Sequence, residues 1–221
     1  MVTSTVEDYL KCILLEQPRG GGGLVSMGQI ATALRVTNGT VTSMVKTLAD
    51  SNLVTYEPYS GVRLTPAGLQ LAGHVLRRHR LVELFLVKVL GLDWSEVHDE
   101  AERLEHVISE RVVERMDELL GFPTVDPHGD PIPGPRGVVE EPDLPSLLLC
   151  PVKRRVRVAR ITDQSPEFLR LAEARGLMPG RIVTVSERDE TADAVQLRRE
   201  GGERISLGFR AASKVLVEPT S

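Results

Sequence analysis

The amino-acid sequence predicts a mainly α-helical protein that starts with a winged helix-turn-helix, continues with a helical domain and ends with a small β barrel. Apolar residues recur at helical spacing through most of the first 120 residues, interrupted by two short extended segments near residue 60. Eight of the fourteen prolines lie between residues 123 and 151, a density that excludes a helix or a central strand. After them, short β-branched runs alternate with glycines, which is typical of a small β-rich domain.

Length and composition indicate a globular, cytoplasmic protein of two or three domains. The chain has 221 residues, of which 41% are hydrophobic and 26% charged, and this balance excludes disorder and a fibrous structure. No apolar run approaches the roughly 20 residues of a membrane helix. No basic segment followed by an apolar core marks a signal peptide. Two cysteines, Cys12 and Cys150, cannot build a disulfide framework and favour a reducing cytosol.

Capping residues and apolar stripes predict the helices of the first half. Leu10 and Ile13 belong to the stripe of a first helix, which the glycines at 20–23 end. Ser26 is a candidate N-cap, and Pro66 fits the first turn of a long helix. The predicted helices cover residues 4–16, 26–34, 38–51 and 66–90, and a last one runs from Asp93 or Ser95 to Gly121 with a break near Ser109.

Extended segments and prolines then divide the chain into domains. Extended segments are predicted at 53–57, 61–65, 152–161, 182–186, 194–198 and 215–217. We predict a winged-helix domain over residues 1–73, a helical domain over 74–140, a linker over 141–150 and a β-barrel domain over 151–221.

Residues 26–65 have the pattern of two helices, a tight turn and a hairpin, which together make a winged helix-turn-helix. Apolar residues such as Ile30 and Leu34 would face Val41 and Val45 across the turn. The second helix then turns small polar side chains outward, and such groups can approach base edges and phosphates closely. A small helical bundle with a polar surface is the alternative. The candidate DNA contacts are Thr37, Asn38, Gly39, Thr40, Thr42, Ser43 and Lys46, with Arg63 on the hairpin.

Charge is unevenly distributed along the chain. Residues 1–90 carry nine Lys/Arg and six Asp/Glu, residues 91–145 carry four and fifteen, and residues 146–221 carry fourteen and ten. The basic front is suited to a polyanion and the acidic middle to cations, although acidic helices are often simply solvated.

A group of histidines and acidic residues has the spacing of metal ligands. Four of them, at positions i, i+4, i+7 and i+8, fall on one helical face, and a His–Glu pair at i, i+4 lies on the preceding helix. Two such pairs favour a metal site over solvated histidines, and nitrogen and oxygen donors suit manganese, ferrous iron or zinc. The candidates are His98, Glu102, Glu105 and His106, then His79 and Glu83, then Asp8 on the first helix, and Asp126 and His128 near the linker.

No enzyme is expected from this chain. The sequence has no nucleophile elbow, no phosphate-binding loop and no catalytic triad. A metalloenzyme that uses the same ligands is the alternative, and the lack of an evident acid–base partner weighs against it.

Four segments carry a resemblance to a known family: Val6-Glu-Asp-Tyr-Leu10, Arg78-His-Arg-Leu-Val-Glu83, Val97-His-Asp-Glu-Ala-Glu-Arg-Leu-Glu-His106 and Asp126-Pro-His-Gly-Asp-Pro-Ile-Pro133. They resemble the iron- and manganese-dependent repressors of the diphtheria toxin repressor and manganese transport regulator family. The resemblance extends from about residue 4 to residue 217. It implies a winged-helix DNA-binding domain, a helical dimerisation and metal-binding domain, and a C-terminal barrel similar to Src-homology-3 domains and ferrous-transport accessory proteins.

The same resemblance implies a primary metal site at Asp8, Glu102, Glu105 and His106. The first two positions look like Met and Cys in the iron-sensing branch, and carboxylates there favour Mn(II), with Fe(II) possible and Zn(II) or Co(II) able to bind in vitro. The short manganese regulators resemble each other in having a glutamate where this chain has Lys11. A cation at that position argues against their closely spaced two-metal cluster.

An ancillary metal site is implied at His79, Glu83 and His98. In relatives with the barrel, side chains from that domain or from the linker complete the site, and which groups bind together stays open. The linker candidates are Asp126 and His128, and the barrel candidates are Gln164 and Glu167.

The function that the resemblance implies is metal-dependent repression of metal-uptake genes. The expected assembly is a cytoplasmic homodimer on a palindromic operator in double-stranded DNA, with the metal as corepressor. The alternatives are an Fe(II)-responsive repressor, a winged-helix regulator of an organic ligand with structural metal sites, and a ferrous-transport accessory protein.

Overall fold

The computed structural model describes residues 3–17, 23–139 and 142–220. Most of the predicted glycine segment at 20–23 and the predicted domain boundary between residues 140 and 141 lie outside these ranges. Among the residues within them, no helix is long and apolar enough to cross a membrane.

The chain folds into two compact units, each assembled from three stretches of sequence. The first unit comprises residues 1–82, 102–119 and 132–140, and the second comprises residues 83–101, 120–131 and 141–221. The contiguous domains 1–73, 74–140 and 151–221, with their linker at 141–150, stay predictions.

The first unit contains the helix-turn-helix and hairpin that the sequence predicts. Hydroxyl side chains cap its first three helices, since Thr3, Ser26 and Thr37 each accept a hydrogen bond from a backbone N–H of the following turn. The elements are α1 (Ser4–Glu16), α2 (Met27–Ala33), α3 (Asn38–Asp50), β1 (Val54–Glu57) and β2 (Gly61–Leu64), followed by α4 (Pro66–Lys88), which continues into the second unit, α5 (Val97–Leu104), which enters from it, and α6 (Glu110–Leu119).

An apolar core holds α1, α2 and α3 against the hairpin. Ile13, Ile30 and Val41 are completely buried in it. Val25 exchanges two backbone hydrogen bonds with Val62 of β2, at 2.8 and 2.9 Å, so the hairpin is fixed beside the start of α2. The position of α1 therefore determines the position of α3, which carries most of the candidate DNA contacts.

The second unit is built around a five-stranded antiparallel sheet. Its apolar core includes Leu147, Val158, Leu169 and Val195, all almost completely buried. The elements are β3 (Arg155–Ile161), α7 (Pro166–Ala174), β4 (Ile182–Asp189), β5 (Ala194–Arg199), β6 (Arg204–Gly208), α8 (Phe209–Ala212) and β7 (Val215–Pro219).

The sheet is bent but open. Its strand order is β6-β5-β4-β3-β7, and within the described part of the chain its two edge strands, β6 and β7, are not paired with each other. Register shifts between Val158 and Arg160 and between Val185 and Glu187 mark irregularities that bend the strands. The predicted β-rich domain is confirmed, but the word barrel describes it only loosely, because α8 leads the chain from one sheet edge to the other.

Several predicted boundaries differ from the structure. The predicted helix at 93–121 is two helices, α5 and α6, separated by the turn at 105–109, where the break was expected. The helix at 66–90 ends at Lys88, and Gly91 follows in a left-handed conformation with φ 70°. The strand at 152–161 starts only at Arg155, because Lys153 also has positive φ. Strand β6 and the short helices α7 and α8 were not predicted.

Gly129 lies in a loop where the chain passes very close to β3. Its φ is +88°, and a Cβ atom would lie 1.9 Å from the carbonyl oxygen of Ala159. Gly180 has nearly the same φ, +89°, but open space around the Cβ position. Alanine substitutions at the two glycines therefore distinguish the cost of backbone strain from the added cost of a steric clash.

We expect Gly129→Ala to lower the free energy of unfolding by about 3 kcal/mol or more, because strain and overpacking add. Gly180→Ala should lower it by only about 1 kcal/mol, since only the left-handed conformation is penalised. Urea unfolding of both variants measures the difference. Equal losses of unfolding free energy in the two variants would show that the close approach at Gly129 is absent.

Candidate metal centres

Four of the predicted ligands lie together in the first unit. Asp8 is on α1, Glu102 is in the last turn of α5, and Glu105 and His106 lie in the turn that follows. One ligand atom from each lies within 4.8 Å of those from the other three. Glu105 is completely buried, while the other three are partly exposed. This is the donor set, three carboxylates and one imidazole, that the sequence predicts for the primary site.

Glu7 orients the imidazole of His106. The Nδ1 atom of His106 donates to the Glu7 carboxylate at 2.6 Å, and Arg78 donates to the other oxygen of that carboxylate at 2.7 Å. The Nε2 atom consequently faces Asp8 Oδ1 at 2.8 Å and Glu105 Oε1 at 3.3 Å. Carboxylates that hold the second nitrogen of a ligating histidine in this way fix the ring and increase its basicity. Glu7 was not predicted as a site residue, although its place directly before Asp8 was a usable signal.

Lys11 brings a positive charge to this cluster. Its ammonium lies 2.5 Å from Glu102 Oε1 and 2.7 Å from Glu105 Oε1. Burial alone would lower the pKa of Lys11, but the two carboxylates outweigh burial and raise it. The lysine is therefore charged throughout the neutral pH range.

Burial also changes the acidity of Asp8. It raises the pKa of the Asp8 carboxyl above its usual value, although the nearby His106 and Lys11 act in the opposite direction. Protons stay on Asp8 to a higher pH than on an exposed aspartate, so they compete with a cation there as the pH falls.

A second cluster lies in the second unit and consists of Glu83, Asp126 and His128. One ligand atom from each lies within 4.8 Å of the other two, and all three residues are at most 4% exposed. The Asp126 carboxylate also accepts backbone hydrogen bonds from His128 and Asp130, at 2.8 and 2.9 Å, so the loop itself holds it in place.

The tautomer of His128 fits metal binding. Its Nε2 lies 2.9 Å from the carbonyl oxygen of Trp94, which can only accept, so Nε2 carries the proton. The buried Nδ1 then has a lone pair, and it has no hydrogen-bond partner in the described structure. It lies 3.9 Å from Glu83 Oε2. An unsatisfied buried nitrogen beside two carboxylates is costly unless a cation or water completes it.

The other ancillary candidates have different partners. His79 bonds through Nδ1 to Glu105 Oε2 at 2.5 Å within the first unit. In the second unit, His98 Nδ1 lies 3.3 Å from Glu83 Oε1, and the His98 side chain is half-exposed. The Gln164 amide donates to Asp130, and Glu167 is exposed at the start of α7. The geometry thus favours the linker candidates Asp126 and His128 over the candidates on the sheet domain.

The candidate DNA contacts lie on α3 and the hairpin. Of the eight, all except the half-buried Thr42 are exposed. The Thr37 hydroxyl accepts the Thr40 backbone N–H at 3.2 Å, and Thr42 donates to the Asn38 carbonyl at 2.8 Å, so these two hydroxyls already bond within the helix. Arg63 pairs with Glu57 across the hairpin at 3.2 Å. Asn38, Ser43 and Lys46 remain the best placed polar groups for contacts to bases or phosphates.

Three family models match consecutive parts of the chain. The N-terminal DNA binding domain of the iron dependent repressors matches residues 1–62, their metal binding and dimerisation domain matches residues 65–134, and the FeoA domain matches residues 146–219. The iron-dependent repressor IdeR of Mycobacterium leprae is 34% identical over 98% of both chains. The diphtheria toxin repressor of Corynebacterium diphtheriae is 32% identical over 85% of this chain and 87% of its own.

Solved structures agree with these matches. A manganese-dependent transcriptional repressor in complex with manganese superposes with a TM-score of 0.86 at 38% identity, over 97% of this chain and all of its own. ScaR with bound Cd²⁺ superposes with a TM-score of 0.77 at 33% identity, over 97% of this chain and 99% of its own.

Fold, ligand cluster and relatives together define a metal-dependent, DNA-binding transcriptional repressor. The chain belongs to the iron-dependent repressor family, which includes IdeR and the diphtheria toxin repressor. Its members are DNA-binding repressors rather than enzymes, so the prediction that this chain is not an enzyme agrees with its family.

Glu7→Gln should weaken binding of Mn(II) at the primary site by about tenfold, because His106 loses the charged acceptor that orients it. Equilibrium titration with EPR detection of free Mn(II) measures the affinity. Glu16→Gln, on the same helix but away from the cluster, is the matched control. Equal affinities for the two variants would remove Glu7 from the site.

His128→Ala should lower the number of Mn(II) ions bound per chain by one, since the buried Nδ1 is the only nitrogen ligand in its cluster. Metal content after dialysis, measured by mass spectrometry, is the readout. His74→Ala removes a histidine outside the candidate sites and should change nothing. An unchanged metal content in His128→Ala would contradict a metal site at Glu83, Asp126 and His128.

Proposed function

We propose that this protein is an Mn(II)-responsive repressor of metal-uptake genes that binds a palindromic operator as a homodimer. The observation that carries this proposal is the position of Asp8. It lies on the helix that packs against the DNA-reading helices, beside three candidate ligands from α5 and the following turn. A metal ion held by all four side chains would link the two parts of the first unit.

The donor set favours Mn(II). Three carboxylate oxygens and one imidazole nitrogen form a hard site, without the thiolate or thioether that softer ions prefer. Similar proteins include a repressor solved with manganese and another solved with cadmium. An Fe(II)-responsive repressor is the second candidate, since IdeR relatives are iron-dependent. Zn(II) and Co(II) would bind in vitro, because intrinsic affinity rises along the divalent series.

The ion would supply positive charge shared by side chains that are far apart in sequence. Asp8 and His106 hold α1 beside the turn after α5, with their contact at 2.8 Å. Because α1 shares its core with α2 and α3, fixing α1 fixes α3. A DNA-binding helix that is already held in place loses less conformational entropy when it binds DNA. Metal binding and DNA binding therefore strengthen each other, typically by about 1–3 kcal/mol.

A homodimer would present two α3 helices to successive major grooves, about 34 Å apart. Exposed apolar side chains at Val107, Val112 and Leu119 support a protein interface on and beside α6, because such groups are rarely left in water together. Val97 and Ala101 of α5, by contrast, are buried in the chain's own core. The cytoplasm, where the operator lies, stays the predicted location.

A winged-helix regulator with purely structural metal sites is the alternative from a different class. It predicts that a chelator leaves operator binding unchanged. The partly exposed position of Asp8, next to a histidine that Glu7 holds in place, favours the metal-responsive proposal, since a purely structural site needs no partly solvated ligand.

Asp8→Ala and His106→Ala should each abolish the Mn(II) dependence of operator binding while leaving the dimer intact. Fluorescence anisotropy with operator DNA, with and without chelator, measures the first effect, and light scattering measures the second. His74→Ala is the control for loss of a histidine. Unchanged metal dependence in both site variants would overturn the proposed function.

A further inference from the structure

Lys11 places a permanent positive charge inside the primary metal site. The residue is 6% exposed, and its ammonium lies 2.5 Å from Glu102 Oε1 and 2.7 Å from Glu105 Oε1. Glu105 is completely buried. Both carboxylates also belong to the group of four candidate ligands, so the ammonium and a metal ion compete for the same groups.

Two physical consequences follow from this position. A buried carboxylate is strongly destabilising without a counter-charge, and Lys11 supplies one to Glu105 whether or not metal is bound. The same charge repels an arriving divalent cation, and this repulsion is poorly screened because the ammonium is almost completely buried.

Charge balance limits the number of ions. Asp8, Glu102 and Glu105 carry three negative charges, and the Glu7 carboxylate is already paired with Arg78. Lys11 and one divalent ion neutralise the three charges. A second divalent ion would leave a net positive charge in a largely buried site, which is unfavourable.

We propose that Lys11 sets the metal affinity of the primary site, holding Glu102 and Glu105 in place before metal binds and restricting the site to one weakly held divalent ion. This inference rests on the proposed function of the primary site. It makes Lys11 a positioning and affinity-determining residue rather than a ligand. The repressor would then respond only at metal concentrations above those that saturate a site without the lysine.

Three variants of the full-length protein test the proposal. Lys11→Met removes the charge and keeps the apolar stem, Lys11→Gln removes the charge but can still donate hydrogen bonds, and Lys11→Arg keeps the charge. Mn(II) affinity is measured by EPR titration, metal content by mass spectrometry, and the thermal stability of chelator-treated protein by calorimetry.

Both neutral variants should bind Mn(II) at least about tenfold more tightly than the wild type, since a nearby charge repulsion is removed. Their chelator-treated forms should melt at lower temperature, because Glu105 loses its counter-charge. Lys11→Arg should stay close to the wild type in both Mn(II) affinity and melting temperature. A merely structural lysine would change the melting temperature but not raise the affinity, and unchanged or weaker Mn(II) binding in a folded neutral variant would overturn the proposal.

Asp8→Ala separates this inference from the proposed function. If the wild type and Asp8→Ala bind Mn(II) alike, the primary site itself is wrong. If Asp8→Ala loses the ion but the neutral Lys11 variants match the wild type, only the role of Lys11 is wrong. Should neither neutral variant fold, the side-chain NMR resonance of Lys11 in the wild type decides. It should shift when diamagnetic Zn(II) is added, and an unaltered resonance would contradict the proposal.

Discussion

The need to supply positive charge to a buried carboxylate is the constraint on which the first unit depends. Glu105 is completely buried, and Asp8 and Glu102 lie close enough for their oxygens to share one ion. Charges in such a place persist only when they are paired. The protein meets the need partly from its own chain, through Lys11, whose ammonium bonds Glu105. A divalent ion would complete the neutralisation, so metal binding would also order this part of the first unit.

This arrangement modifies the simplest picture of a metal-dependent repressor, in which ligand carboxylates merely repel one another until metal arrives. Lys11 and the Glu7 contact with His106 already join α1 to the turn after α5. A metal ion bound there would strengthen an existing connection, so its coupling to DNA binding would be graded rather than all-or-none. The second cluster differs in kind, because its three residues are all buried and belong to the other unit. Its isolated His128 nitrogen is suited to a structural ion.

Much of this could be predicted from sequence, and the reasons for the rest are specific. Capping residues and apolar stripes are local signals, and α1 was predicted with its observed bounds, Ser4–Glu16. The family's ligand positions brought Asp8 together with residues almost a hundred positions away. The role of Lys11 in pairing with Glu102 and Glu105, and that of Glu7 in holding His106, depend on side-chain directions that spacing does not specify. Strand β6 was missed because glycines and charged residues surround a short run, and the open sheet edge depends on long-range pairing.

We propose that a metal ion at Asp8, Glu102, Glu105 and His106 is energetically coupled to DNA binding by α3. Coupling between two binding sites is reciprocal, so DNA must change metal affinity by the same factor by which metal changes DNA affinity. The most direct measurement is therefore the Mn(II) dissociation constant of the full-length dimer with and without saturating operator DNA. Operator DNA should tighten Mn(II) binding by the same factor by which Mn(II) tightens DNA binding. An Mn(II) affinity that is the same with and without operator DNA would contradict it.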